Sequence, residues 1–349
     1  MGRGLVTVPF PDSLRPPTIS LSGSMFGFGQ KSFLPLDDRG LLAVSGDDAR
    51  PFLQNLVTND IGKVQPGQAI YAALLTPNGR YLHDFFVIEM DGVLFLDVAK
   101  KKLEDLQARL LKYRLRSKVE IDDVSRIFRV IAMLGDGPHD SQSLHGFEGR
   151  GGPFANGFCY VDPRYAGIGV RALVPNDAFA MFDAAGFQAG DRMAYETLRL
   201  HFGIPEGQFD LTPEKSLPME SNFDLLHAID WQKGCYIGQE LTARMHYRAL
   251  LKKRLLPVGI DGDVPDFGTP IFYDGAEVGE MRTGMAEQGI ALLKLEAVLA
   301  AVKADAPLTA GETKLTPQHP PWLPDGSNEQ DLPDGGEEAG EETASDKAE

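Results

Sequence analysis

The chain has 349 residues, a formal net charge of -16, 43% hydrophobic and 24% charged residues, a composition with room for two or three folded domains. No apolar run reaches the ~18 residues that a membrane-spanning helix needs, so no membrane role is expected. Its two cysteines, Cys159 and Cys235, cannot build a disulfide framework, nor can they supply the four thiolates of an iron–sulfur cluster from one chain. The charge is uneven: residues 321–349 hold ten acids and one lysine, a balance of -9 that leaves -7 for the rest. That remainder is mildly acidic, which argues against generic nucleic-acid binding.

Residues 1–32 carry Arg3, Arg15 and Lys31 against a single acid, Asp12, among Ser, Pro and Gly, and read as a flexible segment. The composition would suit a mitochondrial transit peptide, although Pro16-Pro17 interrupts the helical pattern such a peptide needs; a loose bacterial N-terminus fits as well. Order is expected from Phe33. Residues 41–46 read as a strand, and Asp47 or Asp48 can cap a helix running through Gln54 to Val57. Strands over 71–75 and 81–90 flank Pro77-Asn78-Gly79 as a hairpin, and a third follows Asp91-Gly92 over 93–98. Leu103, Leu106, Leu110 and Tyr113 fall at helical spacing, which predicts a helix over about 102–115. Further strands are expected over 119–122 and 128–134, loops over 135–157, and helices over 177–185 and 192–202. Beyond Arg254 come short strands (255–260, 270–273, 278–283, 289–298) separated by turn residues, the pattern of a small β-barrel or sandwich. Strands and helices mix without a βαβ repeat, so the fold class is α+β. The expected division is 1–32 flexible, 33–250 the main α+β region of two interleaved subdomains, 251–310 the barrel, and 311–349 an acidic disordered tail.

The chemistry concentrates in Lys233-Gly234-Cys235-Tyr236-Ile237-Gly238-Gln239-Glu240. A thiol beside a lysine and ahead of a helical segment is where thiolate is favoured, and flanking glycines let the backbone turn tightly. The alternative is a buried cysteine acting as a small hydrophobe. Upstream, Leu217-Pro218-Met219-Glu220-Ser221-Asn222-Phe223 places a carboxylate that can accept two hydrogen bonds from a flat, guanidine-like edge; it reads equally as a helix cap and turn. Asp84 interrupts the apolar strand Tyr81-Leu82-His83-Asp84-Phe85-Phe86-Val87, which invites a functional reading unless alternation sends it to solvent; His83 then points the other way. Glu240 and Arg244 are spaced for a helical pair. Arg244, His246, Arg248, Lys252, Lys253 and Arg254 make one basic run, and Lys112, Arg114, Arg116 and Lys118 another, suited to ligand carboxylates, to phosphates or simply to solvent. The seven histidines show no HExxH or paired metal spacing, so no metal site is expected. A GxSxG elbow and a phosphate-cradling P-loop are missing too.

KGCYIGQELTAR (residues 233–244), together with LPMESN (217–222), resembles the signature of the YgfZ-type folate-binding proteins, in the superfamily of the glycine-cleavage T-protein, an aminomethyltransferase. The resemblance spans about residues 33–322 and includes Leu41-Leu42-Ala43-Val44-Ser45-Gly46, Thr58-Asn59-Asp60 and Leu75-Thr76-Pro77-Asn78-Gly79-Arg80. It implies a T-protein-like fold around a central folate site, closed by a C-terminal β-barrel, and tetrahydrofolate as cofactor. It further implies a role in maturing [4Fe–4S] proteins, with iron–sulfur assembly proteins or [4Fe–4S] clients as partners. Cys235 matches the family's functional cysteine, Asp84 falls where T-proteins carry the aspartate facing the reactive folate nitrogens, and Glu220 matches a pterin-region glutamate. The chain departs from T-proteins at His201, where they have glutamate, and in the cysteine motif itself.

The resulting expectation is a tetrahydrofolate-binding assembly factor with Cys235 and Lys233 at its chemical centre. Asp84, Glu220, Asn222, Tyr236, Gln239 and Arg244 are its expected folate contacts. A folate-dependent one-carbon (aminomethyl) transferase is the alternative, and a folate sensor that uses the basic runs on RNA is a third reading. The bacterial cytoplasm is the expected location, with the mitochondrial matrix as the alternative.

Overall fold

The computed structural model describes residues 31–135, 146–248 and 251–324. Most of the N-terminal segment, the acidic stretch beyond residue 324 and the middle of the Gly-rich stretch 135–157 lie outside the described residues.

An antiparallel sheet, a mixed sheet and a barrel organise the chain. The first sheet takes β2 (Arg39–Ser45), β3 (Ile70–Leu75), β4 (Tyr81–Met90), β5 (Val93–Ala99) and β6 (Glu120–Asp123) in the order β3-β4-β5-β2-β6. Gly79, at φ +73°, makes the β3–β4 turn, a left-handed conformation that costs glycine nothing. Helices α1 (Ala49–Gln54) and α2 (Leu103–Arg114) bury Phe52, Leu53, Leu103, Leu106 and Leu110 against one face of this sheet. The other face meets the rest of the molecule, so β4 is buried over its first eight residues rather than in alternation.

The second sheet takes β1 (Ser32–Pro35), β7 (Phe128–Leu134), β8 (Gly151–Phe154), β9 (Gly157–Val161), β10 (Val170–Pro175) and β11 (Gln188–Ala189) in the order β11-β1-β7-β10-β9-β8. Only the β1–β11 pair is parallel. Its outer face is closed by α3 (Phe179–Ala184), whose Phe182 stacks on Phe33 at 4.7 Å. The β8–β9 hairpin occupies part of the stretch expected as loop. Its glycines serve close packing: a Cβ on Gly151 would lie 2.0 Å from the Cys159 carbonyl oxygen, and one on Gly157 2.0 Å from that of Leu173.

Between the sheets, α4 (Arg192–His201) and the short α5 (Gly207–Asp210) close over a buried ionic network. Asp97 accepts from Arg39 at 2.7 Å and from Arg171 at 2.6 Å, and Arg164 clamps Asp162 through two nitrogens at 3.0 and 2.8 Å. Arg199 reaches Asp210 at 2.7 Å. Burial pushes the Glu206 carboxyl up, but Arg199, Arg39, Arg164 and Arg171 together hold it well below the usual carboxylate range.

After α6 (Gln239–Tyr247) the chain enters a closed barrel: β12 (Lys253–Asp261), β13 (Pro270–Tyr273), β14 (Ala276–Met285), β15 (Gln288–Lys294), β16 (Leu308–Ala310) and β17 (Thr313–Pro317). The order is β12-β15-β14-β13-β16-β17, and β17 returns onto β12. The α+β architecture with a C-terminal barrel is as expected. Two details differ. The apolar run over 289–298 splits at Lys294, because Leu295, Val298 and Ala301 share one face of a helix, α7 (Leu295–Ala304), that packs into the barrel core. The closing strand β17 lies beyond residue 310, in the stretch grouped by composition with the tail; Thr313, Leu315 and Pro317 are buried while Lys314 and Thr316 face out, a strand's period of two.

Candidate functional site

The cysteine loop is fixed from both ends. Asp230 accepts from the backbone N–H groups of Gln232 (2.7 Å) and Lys233 (3.1 Å), starting the loop in a tight turn, and pairs with Lys63 at 2.8 Å. The Lys233 ammonium donates to three carbonyls, those of Gln54 (2.8 Å), Val57 (2.6 Å) and Asn59 (2.8 Å). Burial presses its pKa down to about 8 against the pull of Asp60 and Asp230. At the far end Gly238, at φ +82°, lies so close to the β3–β4 turn that a Cβ there would meet the Thr76 carbonyl oxygen at 2.4 Å. Between these anchors Tyr236 plugs the central core, where burial raises its hydroxyl to about 12, while Cys235 stands exposed. The loop therefore presents a thiol from a rigid base. Lys233, expected beside the thiol as an activating charge, instead gives its donors to backbone carbonyls. The second cysteine, Cys159 on β9, is half-buried, and desolvation pushes its thiol up.

Asp84 is sealed. One carboxylate oxygen accepts from the Tyr81 hydroxyl at 2.7 Å, the other from that of Tyr71 at 2.9 Å, and Gly207 closes the remaining side. At 5% exposure it is turned away from solvent, which corrects the solvent-face reading. His83, pointing the other way, meets Asp105 of α2 at 2.8 Å.

Glu220 and Asn222 lie where the chain meets the barrel. Asn222 is buried at φ +64°. Its amide donates to the Leu255 carbonyl (2.7 Å) and accepts from Arg254 (3.0 Å), which also clamps Asp224 through two nitrogens at 2.9 and 2.7 Å. Asn222 and Arg254 thus hold β12 in place. Glu220 is half-buried on the wall of a cavity of about 380 Å³ between the body and the barrel, within the size range of small-molecule sites. The cavity is lined also by Lys215, Ser216, Ser221, Lys253, Glu280, Arg282 and the apolar faces of Leu211, Leu255, Phe267 and Leu292. Burial pushes the Glu220 carboxyl up, while Lys253, Arg80 and Arg282 pull it back.

On α6, Gln239 is half-buried and Arg244 exposed, and Arg244 forms no ion pair with Glu240 among the described residues. Trp231 stacks on His246 at 3.9 Å beside them. The expected residues thus occupy separate places: Lys233, Cys235 and Tyr236 on one loop, Gln239 and Arg244 on the helix that follows it, Asp84 behind its tyrosines, Asn222 at the barrel junction and Glu220 on the cavity. Arg282, Lys215 and Phe267, which share that cavity with Glu220, were not singled out from sequence; a lone arginine in a barrel strand gives no signal until the fold brings it opposite a carboxylate.

Comparison with known proteins agrees with this division. Residues 37–149 match the GCVT N-terminal domain family, and residues 252–325 the family described as CAF17, C-terminal beta-barrel domain. The mitochondrial iron–sulfur cluster assembly factor IBA57 of Mus musculus is 34% identical over 312 residues, covering 83% of this chain and 84% of that protein. The Homo sapiens protein of the same name is 34% identical over 308 residues, with 83% and 84% covered. In overall fold the chain is similar to the glycine cleavage system aminomethyltransferase T of Bartonella henselae, with a TM-score of 0.69 at 14% identity, over 86% of this chain and 88% of that one. The YgfZ-type branch expected from the motifs is related to these proteins, but the relatives found carry the IBA57 name.

Proposed function

This chain belongs to the family of IBA57-type iron–sulfur cluster assembly factors, and on that premise we propose that it assists the maturation of [4Fe–4S] proteins through the thiol of Cys235. The observation that carries the reading is the exposed Cys235 on a loop strapped down by the caged Lys233 and the packed Gly238. A single presented thiolate can fill one of a cluster's four positions, so any cluster it meets is shared with donors from an assembly partner or client. The cluster is cargo, and the rigid loop is what keeps the thiol available for it. The relatives' names carry a mitochondrial address, which supports the matrix over the cytoplasm as the place of action.

We place tetrahydrofolate in the Glu220 cavity. Its volume, the leucine and phenylalanine side chains set into its largely polar wall, and the pairing of an acidic wall with Lys215, Lys253 and Arg282 suit a flat ring with a carboxylate arm. When bound, the group would supply one-carbon chemistry or a recognition handle; the residues of this chain hold and orient it. Asp84 is not among the residues that line it. An aminomethyl transferase is the second reading, resting on the aminomethyltransferase fold alone. It predicts folate-dependent turnover of a methylamine donor in vitro.

The test is the activity of a [4Fe–4S] enzyme such as aconitase in cells lacking this protein and given back wild type or Cys235→Ala. Rescue by wild type alone is expected. Equal rescue by both would make the thiol dispensable, and rescue by neither, with soluble expression shown, would remove the assembly role.

A further inference from the structure

Arg282, on β14 of the barrel, is 6% exposed. One terminal nitrogen reaches Glu280 at 2.6 Å, and the guanidinium lies 4.9 Å from the centroid of the Phe267 ring. Its Nε is buried without a hydrogen-bond partner. Buried donors are almost always paired, so an orphan one calls for an explanation. Arg171 Nε and Arg199 Nη2 are also unpartnered, but both belong to the ionic network between the sheets, and neither lines the Glu220 cavity. Arg282 does line it. Its position is also fixed from outside the barrel, because the backbone N–H of the next residue, Thr283, donates to Asp210 of α5 at 3.3 Å.

We propose that Arg282 is the anchor for a carboxylate on the ligand of this cavity, with Lys253 beside it, so that the barrel supplies the specificity-determining residue of a site shared with the body. The ligand class is a flat heteroaromatic ring bearing a carboxylate arm. The ring edge meets Glu220, the ring face lies among Leu255, Leu292 and Phe267, and the arm's carboxylate meets the Arg282 guanidinium, drawing the unpartnered Nε into a hydrogen bond. Glu280 and Glu220 are the opposing charges on the wall, against Lys215, Lys253 and Arg282, which leaves one cation in excess when all five are charged. A ring without the arm leaves both that cation and the Arg282 Nε unanswered, so the geometry selects for the arm as well as for the ring. This rests on the assignment of tetrahydrofolate to the cavity and names the residue that discriminates within it.

The experiment titrates the full chain calorimetrically with two probes, tetrahydrofolate and 6-methyltetrahydropterin, which keeps the ring and lacks the carboxylate arm. Wild type is expected to prefer tetrahydrofolate by at least about tenfold, as a charge-assisted hydrogen bond implies. Arg282→Gln is expected to lose that preference while holding 6-methyltetrahydropterin as before. If the variant keeps the preference, Arg282 is not the anchor, and the folate assignment stands without it. If wild type binds neither probe, the folate assignment itself falls and takes the anchor with it. Should Arg282→Gln fold poorly, wild type alone decides through salt: tetrahydrofolate binding is expected to weaken with ionic strength more than 6-methyltetrahydropterin binding, and equal salt dependence overturns the proposal.

Discussion

The surroundings of Asp84 and of Glu220 border the same segment, residues 207–223, and handle a carboxylate in opposite ways. Around Asp84 every acceptor has a donor: two tyrosine hydroxyls take the two oxygens, and Gly207 fills the approach. Around Glu220 a half-buried carboxyl faces a cavity together with Lys253 and an arginine whose buried Nε has no partner. The first arrangement has both oxygens partnered within the chain and fixes how β3, β4 and α5 meet. The second has a buried donor still unpaired. A polar side chain inside an apolar strand is therefore no guide to function by itself; what distinguishes the two is whether the chain has already answered its hydrogen bonds.

The sharpest way to break that contrast is to add one methyl group. In Gly207→Ala the new Cβ would stand 1.9 Å from an Asp84 carboxylate oxygen and 2.0 Å from the Tyr81 hydroxyl, a distance no relaxation of side-chain tips removes without parting the pair. Loss of about 3 kcal/mol or more is expected in urea unfolding, at the upper end for overpacking. Gly234→Ala is the control: its Cβ meets nothing within 4 Å, so a change within about 0.5 kcal/mol is expected. Equal effects at the two positions would mean that the Asp84 enclosure is loose.

The same sealing acts on a group of opposite charge at His201, at the end of α4. It is buried against Phe202, and desolvation lowers its pKa from 6.5 to about 4. Below pH 6.5 the unfolded chain takes up a proton that the folded chain declines until about pH 4. Stability therefore falls as the pH drops through that window, by about 2–3 kcal/mol. Urea midpoints measured from pH 7 to pH 4 are expected to decline less steeply for His201→Leu than for wild type, the difference isolating this residue from the carboxylates that titrate over the same range. Parallel curves would show His201 to be solvated.

Much of the architecture was legible because it rests on local rules. The β3–β4 hairpin follows from Pro77-Asn78-Gly79, α2 from the spacing of Leu103, Leu106 and Leu110, and the barrel from its spaced turn residues. The cysteine loop was legible as a motif, but its anchoring was not: Lys233 ties to carbonyls more than 170 positions away in sequence. The enclosure of Asp84 was illegible for a similar reason, since its tyrosines lie 3 and 13 residues distant on paired strands and Gly207 comes from a different element. Alternation predicts one wet face for β4, and tertiary packing covered both. Arg282 reaches Glu220's cavity only because the barrel docks on the body, a relation no window of sequence contains.

The smallest effect on stability should accompany the largest on binding. Glu220→Gln keeps the side chain's volume at a half-buried position where burial already favours the uncharged form, so a change of less than about 1 kcal/mol is expected in unfolding. Asp84→Asn puts two amide donors in place of an oxygen that accepts from a tyrosine, and should cost about 1–3 kcal/mol for the buried hydroxyl left unpaired. For tetrahydrofolate the order reverses. An amide offers one acceptor where the carboxylate offers two, so Glu220→Gln is expected to weaken binding about tenfold or more, and Asp84→Asn to leave it unchanged as long as the chain is folded. Calorimetric titration of both variants checks the pair together. If Asp84→Asn weakens binding while Glu220→Gln does not, the ligand lies on the sealed side of the 207–223 segment and the tyrosines must open to admit it.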